Sequence, residues 1–63
     1  MNYSACTVFD RDGKCHDVDL HTVNLTWTVR LRALRRECKK KGIEIRDAYV
    51  GGNMWSRHDI ESA

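Results

Sequence analysis

The chain lacks proline, and it has no low-complexity run, no internal repeat and no long apolar segment. These absences argue against disordered linkers and repeat architectures. No uncharged stretch approaches the roughly 18 apolar residues that a membrane-spanning helix requires, so we expect no membrane partner. The amino terminus also lacks the basic start and apolar core of a secretion signal, and the sequence therefore predicts a cytoplasmic protein.

Length and composition predict a single folded domain that covers residues 1–63. A hydrophobic content of 41% beside a charged content of 32% is typical of globular proteins and not of disordered chains. A domain of this size buries only about 60% of the surface that its unfolded chain exposes. We therefore expect modest stability.

The number of cysteines is odd, and the three show neither CxxC pairing nor the spacing of metal ligands. They are Cys6, Cys15 and Cys38. Free cysteines usually pack as small apolar residues, so we predict a reduced set with no metal and no cofactor. The alternative is a zinc site that combines them with histidines, which are His16, His21 and His58.

The histidines and acids do not form a recognisable catalytic arrangement. His16 and Asp17 are neighbours in sequence, as are His58 and Asp59. On a strand, neighbouring side chains point to opposite faces, so neither pair would converge on one substrate atom. A chain this short also has little material to enclose a pocket. We predict that the protein is not an enzyme.

Residues 24–41 are predicted to form one amphipathic helix. Apolar residues recur at spacings of four, three and four, which places them in one stripe along a helix. Asn24 is a candidate N-cap, and Gly42 follows the last turn, where a left-handed residue is favoured. The apolar stripe consists of Trp27, Leu31, Leu34 and Cys38.

Residues 3–20 are predicted to form a hairpin around a turn that ends at Gly13. A three-residue loop with Gly13 in a left-handed conformation pairs Phe9 with Cys15 and Val8 with His16. This register puts the apolar residues on one face and the acids on the other, whereas a slip of one residue would mix them. The predicted core face carries Cys6, Val8, Val18 and Leu20.

Residues 43–58 are predicted to form a second hairpin around Gly51 and Gly52. A two-residue loop pairs Tyr49 with Met54, Ala48 with Trp55 and Ile45 with His58, whereas a three-residue loop would pair Tyr49 with Trp55. The sequence does not decide between the two loop lengths. With the two-residue loop, we expect the core to include Ile43, Ile45, Tyr49 and Met54.

These elements predict an α+β fold, a small ββαββ domain in which one amphipathic helix packs on an antiparallel sheet of two hairpins. Exposed backbone groups at the edges of such a sheet are a template for pairing with another chain. A homodimer, or a subunit of a homo-oligomeric assembly, is therefore one hypothesis for this protein.

Side chains left outside the predicted core suggest a protein-binding surface. On the sheet face away from the helix we expect Phe9, Ala48 and Trp55, with Arg46 and Arg57. Aromatic and arginine side chains are enriched at binding hot spots. In type, the chain resembles the small proteins that phages and mobile elements encode to bind and block host macromolecules. We predict a non-enzymatic inhibitor or modulator that occupies a surface of a larger host protein or nucleoprotein complex.

The alternative function is DNA or RNA binding through the basic helix. Seven of the eleven lysines and arginines lie between Arg30 and Lys41, and such a run can follow a phosphate backbone. A solvated helix surface would explain the same charges. The residues that would contact nucleic acid are Arg32, Arg35, Arg36, Lys39 and Lys40.

Overall fold

Four strands and two helices follow one another in the computed structural model, which describes residues 5–21 and 26–63. They are β1 (Ala5–Asp10), β2 (Cys15–Asp19), α1 (Trp27–Lys41), β3 (Ile45–Val50), β4 (Asn53–Ser56) and α2 (Arg57–Glu61). The strands form one antiparallel sheet in the order β2-β1-β3-β4, and α1 packs on one face of it. The predicted α+β fold and its ββαββ order are confirmed, with α2 as an addition.

The first hairpin has the predicted register. Phe9 faces Cys15 and Val8 faces His16, and Gly13 has a φ of 85°. Asp10 fixes the turn, because its carboxylate oxygen Oδ1 accepts hydrogen bonds of 2.9 Å from two backbone N–H groups in the loop. The four residues predicted for the core face are all buried; they are Cys6, Val8, Val18 and Leu20.

Helix α1 begins at Trp27 with Thr26 in the N-cap position, and the predicted cap, Asn24, lies outside the described residues. The carboxyl end is as predicted, since Gly42 has a φ of 71° and its N–H donates to the Lys39 carbonyl. The N–H of Ile43 reaches back to the Cys38 carbonyl at 2.9 Å, which completes a Schellman motif. The predicted stripe faces the core, with Leu31, Leu34 and Cys38 buried and Trp27 half-buried.

A β-bulge interrupts the pairing of β1 with β3. Phe9 faces Asp47, whereas Asp10 faces Ile45, so Arg46 is an extra residue on β3. One extra residue shifts the alternation of side chains, so positions on either side of it exchange faces.

The bulge explains why two predicted core residues are exposed. Ala48 and Val50 are fully buried, while Tyr49 is 47% exposed and Met54 is 57% exposed. Ile45 still packs against the core. The prediction that Tyr49 and Met54 belong to the core is wrong, because it assumed unbroken alternation from Ile43 and Ile45 onwards.

The second hairpin closes through a two-residue turn. Gly51 and Gly52 have φ values of 59° and 85°, the left-handed conformations of a type I′ turn. Tyr49 faces Met54, as the two-residue loop predicts, and the alternative pairing of Tyr49 with Trp55 does not occur.

Strand β4 ends earlier than predicted, because α2 begins directly after it. Ser56 and Asp59 form a capping box, in which the Asp59 N–H donates to Ser56 Oγ and the Ser56 N–H donates to the Asp59 carboxylate, both at 3.2 Å. Ile60 anchors α2 in the core at 1% exposure. The predicted pairing of Ile45 with His58 is therefore wrong.

Strands β2 and β4 are the edges of the sheet. Pairing of a second copy at either edge stays a prediction. Neither helix in the part of the chain that the structure describes has the length and apolar character needed to cross a bilayer.

Candidate binding cleft

The residues predicted to bind a protein do not share one face of the sheet. Phe9 lies on the face away from α1, as expected, between exposed Cys15 on one side and half-buried Asp47 on the other. Trp55 and Ala48 lie instead on the side of α1, where Ala48 is part of the buried core. Arg46 is the extra residue of the bulge. The expected grouping is wrong because it assumed strict alternation along β3 and a fourth strand that continued where α2 begins.

A tryptophan stack, formed by Trp27, Arg30 and Trp55, lies beneath the turn between β3 and β4. The two indole centroids are 4.9 Å apart, and the Arg30 guanidinium carbon lies 4.8 Å from the centroid of the Trp27 ring. Arg30 is only 5% exposed. Trp55 Nε1 donates a hydrogen bond of 3.2 Å to the Val50 carbonyl. The stack therefore joins the amino end of α1 to the second hairpin.

A cleft of about 730 Å³ opens at the other end of α1, next to α2 and the start of β3. Its rim carries six cationic and two acidic side chains, and its floor is apolar. The cationic rim consists of Arg11, Arg32, Arg35, Arg36, Lys39 and Arg57. The cleft thus brings Arg57, from the predicted protein-binding set, together with most of the predicted nucleic-acid-binding set.

The two acids of the cleft are each held by an arginine. Arg57 Nε donates to Glu61 Oε1 at 2.9 Å, and Arg11 Nη1 donates to Glu44 Oε2 at 3.2 Å. The hydrogen bond from Arg57 lowers the pKa of Glu61, so this carboxylate stays ionised near neutral pH. Arg35 Nη1 donates to the Glu61 carbonyl at 3.2 Å, which ties α1 to α2.

Three cations of the rim remain available to a ligand. Among the described residues, Arg32, Arg36 and Lys39 make no ion pair and no side-chain hydrogen bond. The cleft therefore presents positive charge that the described part of the chain does not neutralise.

The floor of the cleft consists of Cys38, Ile43, Ile45 and Ile60. Ile43 and Ile45 are half-buried and keep part of their apolar surface accessible, whereas Cys38 is 1% exposed. Burial raises the pKa of the Cys38 thiol to about 11, so the group is neutral at physiological pH. Cys38 is thus an apolar part of the floor and not a reactive thiolate.

Lys40 is the one predicted nucleic-acid-binding residue that does not line the cleft; its Nζ lies 3.6 Å from Glu37 Oε1. The prediction missed Arg11, which arrives through the pairing of β1 with β3, and it did not foresee the floor. One local signal was available, since the Ser56 and Asp59 spacing is that of a capping box and would have indicated α2.

The histidines do not assemble a metal site within residues 5–21 and 26–63, where no group of three or more potential ligands occurs. His16 Nε2 lies 2.8 Å from Asp10 Oδ2. This hydrogen bond lowers the pKa of Asp10 and ties the first turn to β2. The absence of a metal, a cofactor and a catalytic activity stays a prediction.

No family model, no curated protein and no solved structure matches this chain. The assignment of a function therefore depends on the geometry of the cleft itself.

Proposed function

We propose that this chain is a small non-enzymatic binding protein that uses the cationic cleft to occupy an anionic surface of a larger host protein or nucleoprotein complex. The observation that supports this function is the convergence of six cationic side chains from three parts of the chain on one cleft. Arginine is enriched at binding hot spots, and its guanidinium binds carboxylates and phosphates in two-point geometry.

A protein with such a binding cleft can act as an inhibitor or modulator, because binding to a partner's surface blocks other contacts at that surface. This is the mode of action of the small phage and mobile-element proteins that the chain resembles in type. The proposal places the protein in the cytoplasm, which agrees with its free cysteines.

The second candidate function is DNA or RNA binding at the same cleft. It is favoured by the position of Arg32, Arg35, Arg36 and Lys39, which line the cleft together. Phosphate binding of this kind weakens steeply with salt, because each neutralised phosphate releases counterions.

Charge reversal inside and outside the cleft tests the proposal. The cleft variant is Arg36→Glu with Lys39→Glu, and the matched control is Lys40→Glu with Lys41→Glu on the same last turns of α1. The tagged proteins are used to capture partners from a bacterial lysate, with and without nuclease, and the captured species are quantified by mass spectrometry. We expect the cleft variant to lose at least about tenfold of the captured partner, which corresponds to about 1.4 kcal/mol.

The control variant should retain capture within a few-fold, and both variants should melt at similar temperatures because these side chains are exposed. Equal loss from both variants would indicate general charge attraction and would contradict a role for the cleft. Capture that disappears with nuclease would favour the second candidate function.

A further inference from the structure

We infer that the cleft binds an acidic segment of a protein partner that also carries aliphatic side chains, and not a phosphodiester backbone. This inference rests on the proposed function and names the chemistry of the partner. It follows from the combination of an apolar floor with a cationic rim, which is the anatomy of a protein interface with an apolar centre and a polar edge.

The floor favours side chains of a protein over a nucleic-acid backbone. Ile43 and Ile45 are half-buried, so apolar surface remains accessible at the bottom of the cleft. Burying that surface is favourable only when the ligand brings apolar groups of its own. A phosphate backbone would leave these isoleucines without partners.

The rim favours separate carboxylates over a continuous polyanion. Arg32, Arg36 and Lys39 have no ion pair among the described residues, and each of them can bind a separate carboxylate. Glu44 and Glu61 lie in the same cleft. A ligand with evenly spaced phosphates would bring negative charge close to both glutamates, whereas a peptide can place its acids beside the cations and its aliphatic groups elsewhere.

The charge outside the cleft limits binding to a short ligand. The chain has eleven cationic and nine acidic residues, of which six cationic and two acidic residues line the cleft. The rest of the molecule therefore has five cations and seven acids. Duplex DNA carries one charge per about 1.7 Å, and a duplex longer than the cleft would meet the rest of the molecule, where acids outnumber cations by two. A segment that ends within the cleft would not.

Three fluorescein-labelled probes distinguish these kinds of ligand when their binding is measured by fluorescence anisotropy at physiological salt. The first is an acidic helical peptide of about 15 residues, with leucines at helical spacing on one face. The second has the same composition in an order without an apolar face. The third is a duplex DNA of about 15 base pairs. We expect the first probe to bind at least about tenfold more tightly than the other two.

Binding of the first probe should be lost in the Arg36→Glu, Lys39→Glu variant and retained in the Lys40→Glu, Lys41→Glu variant. Equal affinity for the reordered peptide would overturn the inference and leave the proposed function standing. Tighter binding of DNA would overturn the inference and favour the second candidate function, DNA or RNA binding. Failure of all three probes to bind would also overturn the inference. Both proposals would fail together if, in addition, the cleft variant captured partners from lysate as well as the natural sequence does.

Discussion

The two ends of α1 use arginine in opposite ways. At the amino end, Arg30 is 5% exposed and lies over the Trp27 ring within the tryptophan stack. Toward the carboxyl end, Arg35 and Arg36 are exposed beside the cleft. The difference indicates that one helix separates a part that stabilises the fold from a part that is available to a ligand.

The physical basis of this separation is desolvation. A guanidinium stacked on an indole and shielded from water contributes up to about 2 kcal/mol, because water no longer competes for its charge. Exposed ion pairs contribute little, since solvent screens them and ordering two long side chains costs entropy. We therefore expect substitutions around the tryptophan stack to change stability and substitutions around the cleft to change binding.

The largest effect on stability is expected for Gly51→Ala. A Cβ atom at this position would lie 2.5 Å from the Trp27 ring, and the φ of 59° already disfavours any other residue. Overpacking and the left-handed backbone together should lower the free energy of unfolding by about 3 kcal/mol. Thermal and urea denaturation followed by circular dichroism measure this loss.

Gly52→Ala is the matched control, because Gly52 has a φ of 85° but no heavy atom lies within 4 Å of the position that an alanine Cβ would take there. It should lower the free energy of unfolding by only about 1 kcal/mol, because only the left-handed backbone conformation disfavours alanine there. Should Gly51→Ala fail to fold, the same substitution in a Trp27→Leu background should fold and cost nearly as little as the control, because the remaining close contact, Arg30 Nη1 at 2.9 Å, is the end of a flexible side chain. Equal losses at the two glycines would contradict the close packing of the stack on the turn.

The first hairpin and the helix could be predicted from sequence because their signals are local. Asp10 to Gly13 specifies both the loop type and the register, and one register alone separates the apolar residues from the acids. The helix has a stripe of constant period and a glycine stop at Gly42. Each signal lies within one element, so neither depends on long-range packing.

The second hairpin could be predicted only in part, because its bulge is a long-range feature. The extra residue, Arg46, arises from how β1 pairs with β3, and nothing in the local pattern of β3 marks it. The same pairing brings Arg11 beside Glu44. Five of the six basic residues of the cleft could therefore be predicted one by one, whereas Arg11, the convergence of the six and the apolar floor could not.

The contact between the two indoles should give a smaller, directly measurable effect. The variants Trp27→Leu, Trp55→Leu and the double variant form a thermodynamic cycle. Aromatic pairs in tilted contact contribute about 0.5–1.5 kcal/mol beyond burial, so we expect a coupling energy of about 1 kcal/mol. Additivity of the two single losses would show that the rings stabilise the fold independently and would weaken the contrast between the two ends of α1.

The smallest effect on stability is expected at the cleft, in the acid dependence of the Glu61 pair. The hydrogen bond from Arg57 lowers the pKa of Glu61 below 4.5, its ordinary value. The pair therefore contributes stability above about pH 4.5, and this contribution is lost as the pH falls through the lowered pKa, because the carboxylate takes up a proton more readily in the unfolded chain.

Melting temperatures measured from pH 6 down to about pH 3 should fall slightly less steeply for Glu61→Gln than for the natural sequence. Arg57→Gln should flatten the curve in the same way, since Arg57 is the main cause of the lowered pKa. Both side chains are more than half exposed, so the change should stay far below that of Gly51→Ala. A loss of stability comparable to that of Gly51→Ala would mean that the cleft end of α1 also stabilises the fold strongly. The proposed difference between the two ends of α1 would then be wrong.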